Sequence, residues 1–337
     1  MLPRTLKRST YLLLSLFLGL VAYKFQAATH NTTSRLSTPL RRPFSSSSST
    51  QSIQHDIPSH YQASVAFQPK SRDENRLMRK HLKMKPLDSP TGEDNYFVAN
   101  RSGNLACGVA DGVGGWSEMG FDSSAISREL CKAMSEEFEK GKDESLSYDP
   151  KYLLDFAFKK IQKDGIVKVG GTTACLGVFS PDYKLKVANL GDSWCGIFRQ
   201  NKLIAETKIQ THGFNTPYQL AMIPREIHEK NPGSRFIMDQ PSDADVYEFA
   251  VEKDDIVMFA TDGVIDNIDV KDIELYLSDN ENKGLDEVSK TFVNNVAALS
   301  KDENFPSVFS QELTKITGQF YSGGKEDDIT VVMVKVQ

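Results

Sequence analysis

Apolar positions along this chain fall into two kinds of run, short unbroken ones and longer periodic ones. Residues 105–110, 185–191, 256–261 and 329–336 are dense in small and β-branched apolar side chains and bounded by turn residues, which predicts buried strands. A further strand is predicted from Asn95 through Val98. Between these lie helical patterns. In 122–140, Ile126, Leu130, Met134 and Phe138 recur at i, i+4. Residues 151–163 form a second pattern, and 284–300 carry a stripe of Leu285, Val288, Phe292, Val296 and Leu299. Strands in blocks, with helices gathered between the blocks, predict an α+β arrangement rather than regular βαβ winding, with sheets packed face to face and helices outside.

These strands share an unusual feature: acids stand at their ends. Residues 105–110 run into Asp111-Gly112, 185–191 into Asp192, and 256–261 into Asp262-Gly263. Asp327-Asp328 opens the last strand, and Glu93-Asp94 opens the strand at Asn95. A single Asp-Gly is most often a tight turn, because both residues tolerate the positive φ it needs. Five strands with acids at their ends are another matter, since strands of one sheet present their ends along shared edges. Clustered carboxylates repel one another and raise each other's pKa unless a cation sits between them.

Charge agrees with that chemistry. The net charge of -5 conceals seven basic residues and no acid before Asp56, so the remainder is strongly acidic. An acidic body argues against nucleic-acid binding, which needs a basic surface, and suits a protein that holds divalent cations. None of the six histidines lies in the acidic motifs, and Cys107, Cys131, Cys175 and Cys195 show no paired spacing. Zinc is therefore disfavoured, and the cysteines read as buried free thiols. All-oxygen ligands suit Mg²⁺ or Mn²⁺. Two such ions about 4 Å apart are a recurrent device for phosphate ester hydrolysis, because they clamp the phosphoryl oxygens and activate a bridging water. Other phosphotransfer signatures are missing: no Cys-x5-Arg loop, no P-loop lysine after Gly170-Gly171-Thr172-Thr173, and only a partial paired-Asp motif at Asp243-Ala-Asp245. Gly170-Gly171 reads as a close-packed strand entrance.

Six segments in order complete the pattern: Gly92-Glu93-Asp94-Asn95, Gly108-Val-Ala-Asp111-Gly112-Val-Gly114-Gly115-Trp116, Gly170-Gly171-Thr172-Thr173-Ala174, Asn189-Leu-Gly191-Asp192-Ser193, Ala260-Thr-Asp262-Gly263-Val-Ile-Asp266 and Gly324-Lys-Glu-Asp327-Asp328-Ile-Thr. Together they resemble the protein phosphatase 2C family over residues 64–337. With Gly120-Phe-Asp-Ser-Ser-Ala, the chain looks like the fungal branch of its mitochondrial subfamily. The resemblance implies a central β-sandwich of two antiparallel sheets flanked by α-helices in α-β-β-α layers, with metals in a cleft at one end. It also implies a protein-serine/threonine phosphatase holding two Mg²⁺ or Mn²⁺ ions. Carried over by position, Asp111 bridges both ions and Gly112 ligates through its carbonyl. Asp262 and Asp327 complete the second ion's shell, and Glu93 and Asp94 act in or beside the site through water. Asp192, Asp262 and Asp266 match positions that can hold a weaker third ion, although Asp192 can instead be read as a buried turn acid. Asp111, Asp262 and Asp327 are the implied catalytic set.

Two departures stand out against that pattern. Val113 follows Asp-Gly where many members carry a proton-donating histidine, and Ser89 stands where many carry a phosphate-binding arginine. Arg72, Arg76 and Lys85 are the candidate replacements for the arginine. A catalytically weak or inactive phosphoprotein-binding pseudophosphatase is therefore the alternative reading. Residues 207–245 are polar and turn-rich and are expected to form a flap beside the cleft that shapes protein-substrate choice.

Residues 1–63 are expected to be a leader and a Ser-rich linker. The apolar run 11–23, flanked by Arg4, Lys7, Arg8 and Lys24, spans about 20 Å as a helix, short of a roughly 30 Å bilayer core. A mitochondrial transit peptide, a secretory signal and a membrane anchor all remain open from the residues. The family resemblance points to the mitochondrion. Phosphoproteins, coenzyme Q biosynthesis proteins among them, are the partners that kinship implies, for a catalytic domain expected to be monomeric.

Overall fold

Strand pairing assembles two antiparallel sheets, with strands numbered here in chain order. One sheet runs β1 (Gln51–His55), β2 (Tyr61–Gln68), β15 (Ile329–Val336), β14 (Ile256–Ala260), β8 (Trp194–Arg199) and β9 (Lys202–Glu206). The other runs β13 (Asp245–Ala250), β7 (Lys184–Leu190), β6 (Ala174–Phe179), β4 (Asn104–Ala110) and β3 (Asn95–Arg101). The protein was described from a computed structural model, which covers residues 51–55, 60–71, 89–118, 120–230 and 232–337. The 11–23 run, Arg72, Arg76 and Lys85 lie outside the described residues, so the readings placed on them stay as sequence expectations. Among the described residues no helix is long and apolar enough to cross a membrane.

The strands are apolar at successive positions because both faces of each sheet are covered. Along β15, Val332, Val334 and Val336 point into the space between the sheets, while Ile329, Val331 and Met333 point to the opposite side. Leu105, Cys107 and Val109 of β4 meet them across the sandwich, together with Cys175 and Phe179 of β6, while Cys195 and Phe259 continue the inner face of the β15 sheet. The outer face of the β3 sheet is covered by helices Ser124–Lys140 and Pro150–Asp164, and that of the β15 sheet by Val270–Asp279 and Leu285–Ser300. The result is the α-β-β-α layering expected. All four cysteines are buried and free, as expected.

Local signals set the helix ends. Asp149 accepts from the backbone N–H groups of Lys151 and Tyr152, Pro150 occupies the first turn, and Gly165 closes the helix at φ +62°. The helix at 124–140 buries Ile126, Leu130, Met134 and Phe138, the stripe read from the sequence.

One boundary differs from expectation. The predicted domain start at Ser64 falls inside β2, and β1 pairs with β2 from Gln51 onward, so the sandwich extends back into the segment assigned to the linker. The Ser-rich tract carried no signal for an adjacent five-residue polar strand, whose pairing is supplied by β2 rather than by its own apolar pattern. The 207–245 segment also holds more structure than a loop. It contains the hairpin β10 (Thr211–Gly213) and β11 (Thr216–Pro217), and β12 (Leu220–Met222) pairs with β5 (Gly170–Thr172).

Candidate active site

Register brings the acid-bearing strand ends to one end of the sandwich. In the β3 sheet, Asn95 pairs with Ala110 and Ala174 with Leu190, so Glu93-Asp94, Asp111 and Asp192 all leave the sheet on the same side. In the other sheet, Ala260 pairs with both Val331 and Trp194, which puts Asp262, Asp327 and the turn Gly191-Asp192-Ser193 at matching ends. That turn passes from β7 to β8 and so joins the two sheets there. Asp266 follows one turn of helix after Asp262, in Asp262–Ile265.

Several of these acids, or their backbones, are fixed by neighbours that the sequence reading did not single out. Ser123 donates its hydroxyl to Glu93 Oε1 at 2.5 Å, and Ser127 donates to the Glu93 carbonyl at 2.7 Å. The segment after Trp116 thus serves to anchor Glu93. Gly112 donates to that same carbonyl at 3.1 Å. A Cβ on Gly112 would lie 2.4 Å from the Glu93 oxygen and 2.5 Å from that of Ser123, so only glycine lets these backbones approach. Asp94 accepts the Thr261 hydroxyl at 2.8 Å. The Asp111 carbonyl takes the Thr173 N–H and the Thr172 hydroxyl, both at 2.9 Å. Asp328 accepts the backbone N–H of Lys70 through one oxygen and that of Glu93 through the other, each at 2.9 Å.

Two lysines, also missed, reach into this acidic end. Lys70 Nζ lies 2.7 Å from both Glu93 Oε2 and Asp327 Oδ1. Lys325 Nζ lies 2.6 Å from Asp262 Oδ2, contacts Asp266 more closely still, and stands 3.7 Å from Asp327. Lysines carry no motif spacing of their own; the available signal was Lys325 inside the Gly324–Asp328 segment. Ser89 hydrogen-bonds Thr91 at 2.7 Å, and Val113 offers only its backbone N–H, to the Gly171 carbonyl at 2.9 Å.

The electrostatics follow from too many acids in too little water. Burial pushes Asp94, Asp111 and Asp192 well above the usual carboxylate range, and neighbouring carboxylates add to the shift: chiefly Asp328 for Asp94, and Asp262 for Asp111 and Asp192. Burial also raises Asp266, to about 6, although Lys325 opposes the rise. Asp327 goes the other way: burial works against its charge, yet Lys70 and then Lys325 hold it at about 2. Among the described residues, the buried oxygen Asp192 Oδ1 finds no hydrogen-bond partner. An orphaned carboxylate oxygen facing like charges is costly unless a cation can take it.

Oxygen donors of this kind fit a hard divalent ion. Among the described residues, however, no three acidic, histidine or cysteine side chains stand together as a finished metal-ligand set. The acids are gathered at one end and interleaved with the two ammonium groups. The partial paired-Asp motif takes no part in the gathering. Asp243 accepts the Gln240 N–H, and Asp245 opens the edge strand β13.

The polar segment borders this end through its pairing. Thr172 of β5 bridges to Gly112, and β12 lies on the other side of β5. A Cβ on Gly171 would meet Gln219 Oε1 at 2.2 Å, in keeping with a close-packed strand entrance. Asn215 Oδ1 lies 3.3 Å from Lys325 Nζ, Phe214 packs on Phe309, and Phe236 stacks on Trp116.

Comparison with known proteins agrees with this architecture. The Stage II sporulation protein E (SpoIIE) family profile matches residues 101–337. Protein phosphatase 2C homolog 7, mitochondrial, of Saccharomyces cerevisiae is 54% identical over 288 residues, covering 83% of each chain. A Drosophila mojavensis protein, protein phosphatase PTC7 homolog fig, is 34% identical over 80% of this chain and 85% of its own. Among solved structures, the photosystem II phosphatase PBCP superposes with a TM-score of 0.65 at 27% identity, covering 82% of this chain and 99% of that one. The S. agalactiae serine/threonine phosphatase shares the fold at TM-score 0.53 and 18% identity, over 82% of this chain and 100% of that one. The layered sandwich, the six ordered segments and these relatives place the chain in the protein phosphatase 2C family of protein-serine/threonine phosphatases.

Proposed function

We propose that this chain hydrolyses phosphoserine and phosphothreonine in mitochondrial proteins, using two Mg²⁺ or Mn²⁺ ions held at the acidic end of the sandwich. The observation that carries the reading is the convergence of Glu93, Asp94, Asp111, Asp192, Asp262, Asp266 and Asp327 on one edge, at the cost of raised carboxyl pKa values and an orphaned Asp192 oxygen. A fold with only stability to serve gains nothing from such repulsion. Asp111, the Gly112 carbonyl, Asp262 and Asp327 would hold the two ions, with Glu93 and Asp94 acting through water and Asp192, Asp262 and Asp266 available to a third. Bound there, divalent ions supply charge neutralisation for the phosphoryl oxygens and acidify an attacking water.

The chain's own residues do the positioning. Ser123, Ser127 and Thr261 orient Glu93 and Asp94, and Gly112 permits the close backbone approach that brings Asp111 to them. Val113 carries no proton to give, so the leaving alcohol must be protonated by another group, and slow turnover of high-pKa leaving groups is expected. The mitochondrial assignment is supported by the yeast relative's name and by the basic, acid-free leader. The same kinship makes coenzyme Q biosynthesis proteins the first substrates to try.

The test is turnover of a phosphothreonine peptide and of p-nitrophenyl phosphate by the full chain with Mn²⁺, Mg²⁺ or EDTA, beside Asp111→Ala and Asp262→Ala. Metal-dependent turnover, abolished in both variants, is expected. A folded protein that binds phosphopeptide yet turns nothing over under any metal would leave the pseudophosphatase in its place.

A further inference from the structure

A phosphoryl group brings negative charge to a cleft edge already lined by carboxylates, so beyond any bound ions it needs a fixed cation at the rim. Neither Ser89 nor Val113 can supply one. Of the two described lysines in the cluster, Lys325 is the more enclosed. Its side chain is 16% exposed, it is gripped by Asp262 and Asp266, it lies 5.3 Å from the Phe309 ring centre, and it is capped by Asn215. Lys70 is 27% exposed and stands just past the end of β2, between Glu93 and Asp327.

The main chain at Lys70 is held in an unusual way. Its N–H donates to Asp328 Oδ1 at 2.9 Å, and the next N–H, of Ser71, donates to Glu326 Oε1 at 3.0 Å. Two side chains of the Gly324–Asp328 loop therefore clamp the backbone, while the same Asp328 carboxylate fixes Glu93 through its other oxygen. The base of the lysine is rigid and registered to the site, and its flexible four-carbon stem lets the ammonium move several ångströms without disturbing that clamp. A purely structural counter-ion would not need its backbone tied to the loop that carries Asp327.

We propose that Lys70 is the phosphate-binding cation of this enzyme, contacting the phosphoryl oxygens of the bound phosphoprotein in the role left open by Ser89. The assignment rests on the phosphatase reading above. Asp328 is then a positioning residue, acting through the backbones of Lys70 and Glu93.

The experiment measures kcat and KM on a phosphothreonine peptide, competitive inhibition by inorganic phosphate, and Mn²⁺ affinity by calorimetry without phosphate, for wild type, Lys70→Met and Lys70→Arg. The expected outcome is a tenfold or greater rise in the phosphate inhibition constant for Lys70→Met, a fall of about 10²-fold in kcat/KM, substantial recovery in Lys70→Arg, and Mn²⁺ binding no weaker than wild type. An unchanged phosphate inhibition constant, or a loss traced wholly to weaker Mn²⁺ binding, overturns the proposal and makes Lys70 a counter-ion only. Should neither variant fold, amine-labelling of the wild type decides the matter: phosphate in the presence of Mn²⁺ slows labelling at Lys70 if the proposal holds, and leaves it unchanged if it does not. Labelling also separates this proposal from the phosphatase reading, because a protein without turnover can still show or lack that protection.

Discussion

The tripeptide Asp-Asp-Ile occurs twice, at Asp254-Asp255-Ile256 and at Asp327-Asp328-Ile329, each time opening a central strand of the same sheet. Because β14 and β15 are antiparallel, the two copies lie at opposite ends of the sandwich. The second aspartate has a structural task in both. Asp255 takes two bonds from the Arg199 guanidinium at 2.9 Å and the Glu252 N–H at 2.8 Å; Asp328 takes the N–H groups of Lys70 and Glu93. The first aspartates differ. Asp254 is 69% exposed with Lys335 at 3.6 Å, whereas Asp327 is 24% exposed and lies between Lys70 and Lys325 amid further acids. At one end a carboxylate meets a bidentate partner and the account closes. At the other, acids outnumber the described lysines, and that surplus is what the proposed metal site rests on.

The largest effect expected from this contrast is on turnover. Asp327→Asn should lower kcat/KM by about 10²-fold or more, since it removes a charge from the proposed metal site. Asp254→Asn, which tolerates the left-handed φ of +69° at that position, should leave kinetics and stability within about 0.5 kcal/mol of wild type. Similar kinetic losses in the two variants would break the distinction between the ends. Next in size is a stability effect confined to the opposite end. Arg199→Met strips the partner from a buried Asp255 carboxylate and should cost about 3 kcal/mol in urea unfolding, with kcat per folded molecule unchanged. Lost turnover in a folded Arg199→Met protein would show that the two ends are coupled.

The same contrast explains what could be read from the chain. The strands were legible because both faces of each sheet are covered, so Val331 to Val334 are apolar without interruption. The acids at their ends were legible because six segments recur in order. The Gly324–Asp328 segment set Asp328 apart from Asp255, but not the partner each would take, an Arg199 guanidinium from the neighbouring strand or a pair of backbone N–H groups. Lys70 was invisible for a related reason. It stands 23 residues before Glu93, and only the pairing of β2 with β15 brings it to Asp327. The helix at 124–140 was read from its stripe, but the roles of Ser123 and Ser127 depend on where Glu93 passes, which no periodicity encodes.

The smallest expected effect concerns pH and the acidic end alone. Asp266, raised to about 6 by burial against the pull of Lys325, binds its proton more tightly folded than unfolded, where a value near 3.9 applies. The folded state then holds more protons between about pH 4 and 6, so stability falls as pH rises through that window and levels off above it, by at most ~3 kcal/mol. Asp327, held at about 2, acts with the opposite sign and at lower pH, gaining stability between about pH 2 and 4. Urea unfolding in EDTA across pH 4 to 7 should therefore show a decline that Asp266→Asn makes shallower and Asp254→Asn leaves in place, the remainder belonging to Asp94, Asp111 and Asp192, which burial raises in the same direction. With Mn²⁺ present the slope should reverse, because protons and the cation compete for the same oxygens and affinity rises as Asp266 ionises. A decline of undiminished slope in Asp266→Asn would place the whole effect on the other buried carboxylates, and a flat profile in EDTA would mean that the two lysines already neutralise this end as fully as Arg199 does the other.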